Sequence, residues 1–457
     1  MLIIKPTHSF NPERWDQFRQ YAHSCAQNAV HFSPSLLPTW ERRLHIRQTL
    51  REDHQFRIHN RPEGAQAKFD KLATSPFIFF RGTALLYYRD YAGMDAHLPY
   101  VFTIGDVHPE NFGVMPNENG APIFGVNDFD EAFVAPFSWD VKRGATGFFL
   151  AARGNGFSKK KARKIVRAFV NGYLAGLQSF AQDDREKWHQ YRIDNSPPMI
   201  RKLLKKSISD RTKFLSKWVD LDKGEFLPSE EIVPWSKHVQ KFQRIINKYK
   251  KENNIGNGAR GGHFQVKDVA LKKDSGTASL GLDRYLVLID GETEDNGDDI
   301  MLELKQARRS ALYGLVPPHA EDKDEQASRI VSAHTVQLAG GDAYYGCVEF
   351  DKQSYVVQER SPFKDEIDIE KLDHDDFREY ADICGKTLSI SHARSDEDTG
   401  MMEGNAEAKI LSSLTPQVFC ADTVEFAEAA AKRVTQDYKL FLEDHARGAY
   451  QIIHEGA

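Results

Sequence analysis

The alternation of apolar and polar positions divides the chain into a helical beginning, a strand-and-turn region, a basic helical stretch, a second strand-rich region and a helical end. PERWDQFRQYAHSCAQ and PTWERRLHIRQTL each open on a proline suited to a first helical turn, and predict an accessory helical layer over residues 1–75. The apolar run SPFIFFRGTALLYYRDYAG follows and carries Arg81 beside Gly82. An arginine in such a run either snorkels to water or meets a carboxylate or phosphate. YVFTI (100–104) has strand composition, NFGVM and APIFGV predict a hairpin over PNENG, and WDVKRGATGFFLAAR after Ser138 predicts a buried helix with Asp140 in its first turn.

Residues 158–251 read as helical and basic, with 23 Lys and Arg against 10 Asp and Glu, a net of +13. Such charge runs are usually solvated helix faces; the other reading is recruitment of an anionic substrate, and nucleic acid is disfavoured because no stacking motif accompanies the charge. NNIGNGARGG (253–262) predicts a linker and a domain boundary. Beyond it come HFQVKDVALKK as a strand, the small-residue loop SGTASLG, LDRYLVLIDG and IMLELKQA as strands, EDKDEQASRIVSAHTVQLAG as a helix, and AYYGCVEF and SYVVQER as two more strands. A long helix from about Glu370 to His392 and an amphipathic helix or pair over TVEFAEAAAKRVTQDYKLFLEDHARGAYQII close the chain. This predicts an α+β protein with units over 1–75, 76–252, 263–363 and 364–457.

Composition narrows the class. With 457 residues, 40% apolar and 28% charged, and a net charge of −5, the chain has the make-up of an ordinary globular protein. The apolar start is too short for a signal peptide and nowhere do eighteen apolar residues run together, so a cytoplasmic protein without membrane contact is expected. Cys25, Cys347, Cys384 and Cys420 are scattered without a CxxC pair, and are expected as reduced thiols.

The densest candidate chemistry lies between Ile104 and Asp140, in IGDVHPENFGVMPNENGAPIFGVNDFDEAFVAPFSWD. Asp106 and Asn111 are five residues apart, a spacing by which one loop presents a proton-accepting carboxylate and a metal-binding amide to the same phosphate. Asp128 and Asp130 would then hold Mg2+ together with Asn111, the charge cancellation that phosphoryl transfer requires. His108 would orient the turn. Taken singly, each Asp or Asn is ordinary turn chemistry; only as a linked set do they point to catalysis. GDVH also matches the Asp-x-His pair of a two-metal hydrolase, whose usual companion motifs the chain lacks.

The set GDVHPENF, NDFDEA and Asp140 twelve residues after Asp128 resembles the kinase-like phosphotransferases, aminoglycoside phosphotransferases in particular, with Ile104 where that family usually has a histidine. GDVHPENFG, NDFDEA, SWDVKR and FFRG more closely resemble the DUF2252 proteins of bacteria, over most of residues 70–395. The resemblance implies a protein-kinase-like two-lobe fold that binds ATP and Mg2+. Asp106 would act as proton acceptor, Asp140 as a brace for the loop, and Arg81 as a phosphate or active-site carboxylate contact. Gly276, Ser279 and Gly281 would form a loop over the ATP phosphates, with Lys305 on the third strand reaching them. The lysine's carboxylate partner stays open, because Glu321 and Glu325 fit poorly. Gln358, Glu359 and Arg360 would lie near the adenine. Because the catalytic turn precedes the small five-stranded lobe, the resemblance also implies a circular permutation, large lobe first. His392 and Arg394 either face the site or are satisfied at the surface, the surface reading being preferred. The expected function is phosphotransfer from ATP to an unidentified hydroxyl on a small molecule or protein, transfer of AMP remaining open. The alternatives are a hydrolase using Asp106 and His108, or a non-catalytic nucleotide-binding module.

Overall fold

A computed structural model describes residues 12–27, 33–256, 263–273, 282–316 and 326–451 of the chain. The architecture is α+β. Four strands surround the predicted catalytic turn: β1 (Tyr100–Thr103) pairs antiparallel with β4 (Phe133–Pro136), and β2 (Phe112–Pro116) pairs with β3 (Pro122–Val126) in the expected hairpin. A short ladder joins β5 (Val219–Asp220) to β6 (Glu225–Phe226). The third assembly is a six-stranded antiparallel sheet. It contains the five expected strands, β8 (Val266–Lys272), β9 (Arg284–Ile289), β10 (Ile300–Gln306), β11 (Gly346–Phe350) and β12 (Gln353–Glu359), in the order β11-β12-β10-β9-β8. A sixth strand, β7 (Ile232–Pro234), extends the edge beyond β8, so the lobe expected to be five-stranded is six-stranded. The sequence reading missed β7 because it is only three residues long and sits in a stretch judged by its charge.

The period-two alternation of IMLELKQ decides what the sheet presents to each side. Ile300, Leu302 and Leu304 of β10 pack into one core, together with Phe242, Ile246 and Tyr249 of the helix Val239–Glu252. This packing joins that helix to the sheet rather than to the helices before it. On the opposite face Met301 joins a second core with Leu286 and Leu288, while Glu303 and Lys305 continue the same row toward the catalytic turn. A strand with one side fully apolar and the other ending in two charges is the pattern of a sheet whose far end lines a polar cavity.

The helical part is built on Phe137–Gly154, Lys159–Asp183, His374–Ala393 and Pro416–Ala446, which share one large core with the N-terminal helices. Glycines let two of them nearly touch: a Cβ on Gly172 would lie 2.2 Å from the carbonyl oxygen of Asp382, and one on Gly385 2.0 Å from that of Phe169. That close crossing fixes His374–Ala393 against Lys159–Asp183 directly behind the catalytic turn. Arg42 ties the N-terminal layer to the last helix by bonds to Asp90 (2.7 Å) and Asp437 (2.6 Å), all three residues being buried. No helix among the described residues is long and apolar enough to cross a membrane.

Candidate functional site

The turn after β1 is made by Gly105, whose φ of +79° is available to glycine at little cost; a Cβ there would also lie 2.2 Å from the carbonyl oxygen of Glu131. Asp140, in the first turn of Phe137–Gly154 and fully buried, accepts the backbone N–H groups of Ile104 (2.6 Å) and Gly105 (2.9 Å). Its carboxylate is itself held by His392 Nε2 at 3.1 Å, and His392 Nδ1 accepts from Tyr173 O–H at 2.8 Å. His392 is therefore buried in the frame behind the turn, not at the surface as preferred from the sequence. Arg394 points elsewhere: its guanidinium caps the carbonyls of Val336, Glu186 and Lys187.

Asp106 projects from this turn into a cavity and is only 8% exposed. Arg143, one helical turn beyond Asp140 and completely buried, donates to Asp106 Oδ1 from Nε (2.9 Å) and Nη2 (2.7 Å), and its guanidinium lies 4.0 Å from the Phe80 ring centre. Burial pushes the Asp106 carboxyl above its ordinary value, against the opposing pull of Arg143 and Arg81. Asn111 Nδ2 donates to the Asp106 carbonyl oxygen at 2.6 Å, which turns its Oδ1 the other way, and the residue lines the cavity. Arg81 meets Glu110 as an ion pair and donates from Nε to His108 Nε2 at 3.2 Å. Burial, then the charges of Arg81 and Arg143, hold the His108 imidazole well below its usual value, so it is neutral at pH 7.

The second wall comes from the loop after β3 and from the sheet. Lys305 Nζ lies 2.5 Å from Asp130 and 3.9 Å from Asp128, which supplies the carboxylate partner left open by the sequence. Burial would raise the Asp130 carboxyl, but Lys305 outweighs it and holds Asp130 below the ordinary range; burial and the neighbouring Asp130 move Asp128 up instead. In the strand register Lys305 faces Arg284 of β9 and Val356 of β12, and Glu303 faces Gln358. Glu303 accordingly collects Gln358 Nε2 (3.0 Å), Arg284 (3.2 Å) and Arg360 (3.4 Å). Arg329, on the helix Gln326–Gln337, donates to the backbone carbonyls of Asp130 (2.9 Å) and Ala132, and so fixes the carboxylate loop from behind.

The cavity between the two walls has a volume of about 280 Å³ and is lined by Arg81, Asp106, His108, Asn111, Asp128, Asp130 and Lys305 together with Glu110, Glu303 and Lys364. A smaller one of about 60 Å³ adjoins it, where the Tyr345 ring stacks on His334 at 3.8 Å near Met115 and Phe129. Gln358, Glu359 and Arg360 line this smaller cavity. Seven expected residues thus converge, and Asp140 sits behind them. Gly276, Ser279, Gly281, Glu321 and Glu325 lie outside the described residues. Sequence reasoning missed Arg143, although a KR pair three residues after Asp140 inside an apolar helix is a signal, since positions three apart share a helix face. It also missed Glu110, which lies within the predicted turn, and Glu303 and Lys364, which gain their place only through pairing of distant segments.

Asp128, Asp130 and Asn111 line the same cavity and together offer carboxylate and amide oxygens, the donor type that hard divalent cations take. The model of an uncharacterized protein family conserved in bacteria, DUF2252, matches residues 60–444. The chain belongs to the DUF2252 family. No curated protein matches this DUF2252 chain, and no solved structure does.

Proposed function

We propose that this DUF2252 protein is an ATP- and Mg2+-dependent phosphotransferase acting on a hydroxyl acceptor, with a kinase-like two-lobe fold in permuted order. The observation that carries the reading is the meeting of Lys305, from the third strand of the sheet reading in chain order from β8, with Asp128 and Asp130 across a cavity that also holds Asp106 and Asn111. Lys305, Asp128, Asp130 and Asn111 are groups of the kind that position nucleotide phosphates and cancel their charge, and they meet Asp106 there from segments far apart in sequence.

In this reading Asp128, Asp130 and Asn111 hold Mg2+, which neutralises charge on the phosphate oxygens. Lys305 binds phosphate, and the cavity around Tyr345 and Gln358 takes the base. Asp106 Oδ1 is occupied by Arg143, so Oδ2 is the oxygen that accepts the acceptor's proton as the hydroxyl oxygen forms its bond to the γ-phosphorus and the bond to ADP breaks. Arg143 opposes the burial that raises the Asp106 carboxyl, and aims it. A two-metal hydrolase is supported less well, because Arg143 occupies Asp106 and Arg81 faces His108, placing guanidinium groups where metals would bind.

The test is thermal unfolding of wild type and Lys305→Ala with Mg2+ alone or with ATP, ADP or AMP. A Mg2+-dependent shift with ATP that is lost in Lys305→Ala is the expected result. No shift with any nucleotide, or a shift unchanged in Lys305→Ala, overturns the reading. Release of ADP rather than pyrophosphate would then separate phosphate transfer from AMP transfer.

A further inference from the structure

Beyond the C-terminal end of His374–Ala393, among residues that line neither cavity, carboxylates gather with Lys187 and Arg394 as the cationic groups at hand. The carboxylate oxygens of Glu186, Asp396 and Asp398 lie within 4.8 Å of one another. Glu186 is 1% exposed and Asp396 1% exposed, while Asp398 opens to solvent. Glu407, outside that group of three, is fully buried nearby, close enough for its charge and theirs to repel. Neither carboxylate oxygen of Glu407 has a hydrogen-bond partner among the described residues, nor does Glu186 Oε2. An ionised carboxylate removed from water with nothing to replace the water is strongly disfavoured. Two in one cluster indicate a missing positive partner.

The cationic groups at hand do not fill that role. Lys187 reaches the exposed member, Asp398, at 3.0 Å, and Asp184 at 3.5 Å. Arg394 spends its guanidinium on the backbone carbonyls of Val336, Glu186 and Lys187. Burial and the surrounding carboxylates push the Glu186 carboxyl up to about 7, and Glu407 is raised for the same reasons.

We infer that Glu186, Asp396, Asp398 and Glu407 form a binding site for a divalent cation of the calcium class, separate from the nucleotide cavity. Asp396, Asp398 and Glu407 stand at the first, third and twelfth positions of one segment between two helices, the spacing from which a helix-flanked calcium loop draws carboxylate ligands. The sixth position is Met401 rather than glycine; the turn is instead taken by Gly400, with φ +69°. Calcium accepts many oxygens in irregular geometry, whereas Mg2+ demands a tight octahedron and retains water, so a crowd of carboxylates from two segments favours the larger ion. A bound cation would clamp the turn at Glu186 to the segment that leaves the helix carrying His392, and so lock the frame behind the catalytic turn.

The experiment is calorimetric titration of the full chain, stripped with a chelator, with CaCl2 and separately with MgCl2, on wild type, Asp128→Asn and the double variant Glu186→Gln/Asp398→Asn. The expected result is one equivalent of calcium, bound more tightly than magnesium, that survives Asp128→Asn and weakens by at least about tenfold in the double variant. Glu407→Gln, which removes no existing hydrogen bond, is expected to weaken it likewise and serves if the double variant fails to fold. Absence of calcium binding, loss of it in Asp128→Asn alone, or affinity unchanged in the cluster variants overturns the site. Because Asp128→Asn separates the two centres, failure here leaves the nucleotide reading untouched.

Discussion

The cavity and the acidic cluster both concentrate carboxylates in poorly solvated places, but they balance the charge in opposite ways. In the cavity five of the six lining carboxylates, all but Glu366, have a cation supplied by the fold: Arg143 on Asp106, Lys305 on Asp130 and Asp128, Arg81 on Glu110, and Arg284 with Arg360 on Glu303. In the cluster Glu407 and one oxygen of Glu186 have no hydrogen-bond partner among the described residues. Built-in pairing fixes geometry before any ligand arrives, which suits a site that must orient a reacting group. Unpaired charge leaves the geometry to be completed by whatever ion arrives. The cavity is itself graded in this respect: the Arg143 pair is sealed, whereas Asp128 keeps about a third of its side chain exposed (37%). The sealed pair is a fixed part, and the open one can exchange its lysine for other charges.

The sharpest way to break this contrast is at the sealed pair. Asp106→Asn is expected to lower turnover by about 10²–10⁴-fold, the usual contribution of a positioned proton acceptor, while Mg2+ and ATP still raise the unfolding temperature. Retained turnover, measured by release of ADP, would remove Asp106 from the mechanism. Arg143→Met acts on the other partner and is expected to cost about 3–5 kcal/mol of stability in denaturant unfolding, because it leaves a buried carboxylate without its charge. In whatever fraction stays folded, loss of the guanidinium that opposes burial should raise the Asp106 carboxyl further. The acid limb of the pH–rate profile should therefore move to higher pH, since Asp106 must be ionised to accept a proton.

The two walls of the cavity also differ in how far their sequence discloses them. The turn wall is written in one contiguous stretch: Asp106, Asn111, Asp128 and Asp140 lie within 35 residues, and Asn111 and Asp140 bond local backbone groups, so spacing alone groups them. The sheet wall is assembled by register. Arg284 faces Lys305, and Gln358 faces Glu303, only because β9, β10 and β12 align as they do, and no short-range pattern specifies that alignment. The longer strands were legible from their apolar alternation, but β4, β5, β6 and β7, of two to four residues, are too short to show any. His392 was misjudged because a histidine near a helix end resembles a surface residue until the helix crossing at Gly172 and Gly385 buries it.

At the open pair the effects should be smaller and of another kind. Lys305→Ala is expected to change the stability of the ligand-free protein by less than about 1 kcal/mol, since the Lys305 pairs with Asp128 and Asp130 are partly solvated. Its consequence should appear with nucleotide: the stabilisation of about 2.7 kcal/mol expected for wild type at a hundredfold excess over the dissociation constant should disappear. A large loss of stability without ligand would mean that Lys305 is a structural pair like Arg143, and the grading within the cavity would collapse.

In the cluster the effect is expected to depend on pH, and its sign makes it informative. The Glu186 carboxyl is raised from 4.5 to about 7, so its contribution to stability is fully present below pH 4.5 and is lost as pH rises through 7. Glu186→Gln removes that titration. Without divalent cations the variant should match wild type near pH 4 and be the more stable protein at pH 8, as read by thermal unfolding in chelator. Adding calcium at pH 8 should reverse the order, because wild type alone keeps all four carboxylates for the ion. A variant that is less stable at both pH values in chelator would show that Glu186 is satisfied in the cation-free fold, and the contrast between paired cavity and unpaired cluster would fail.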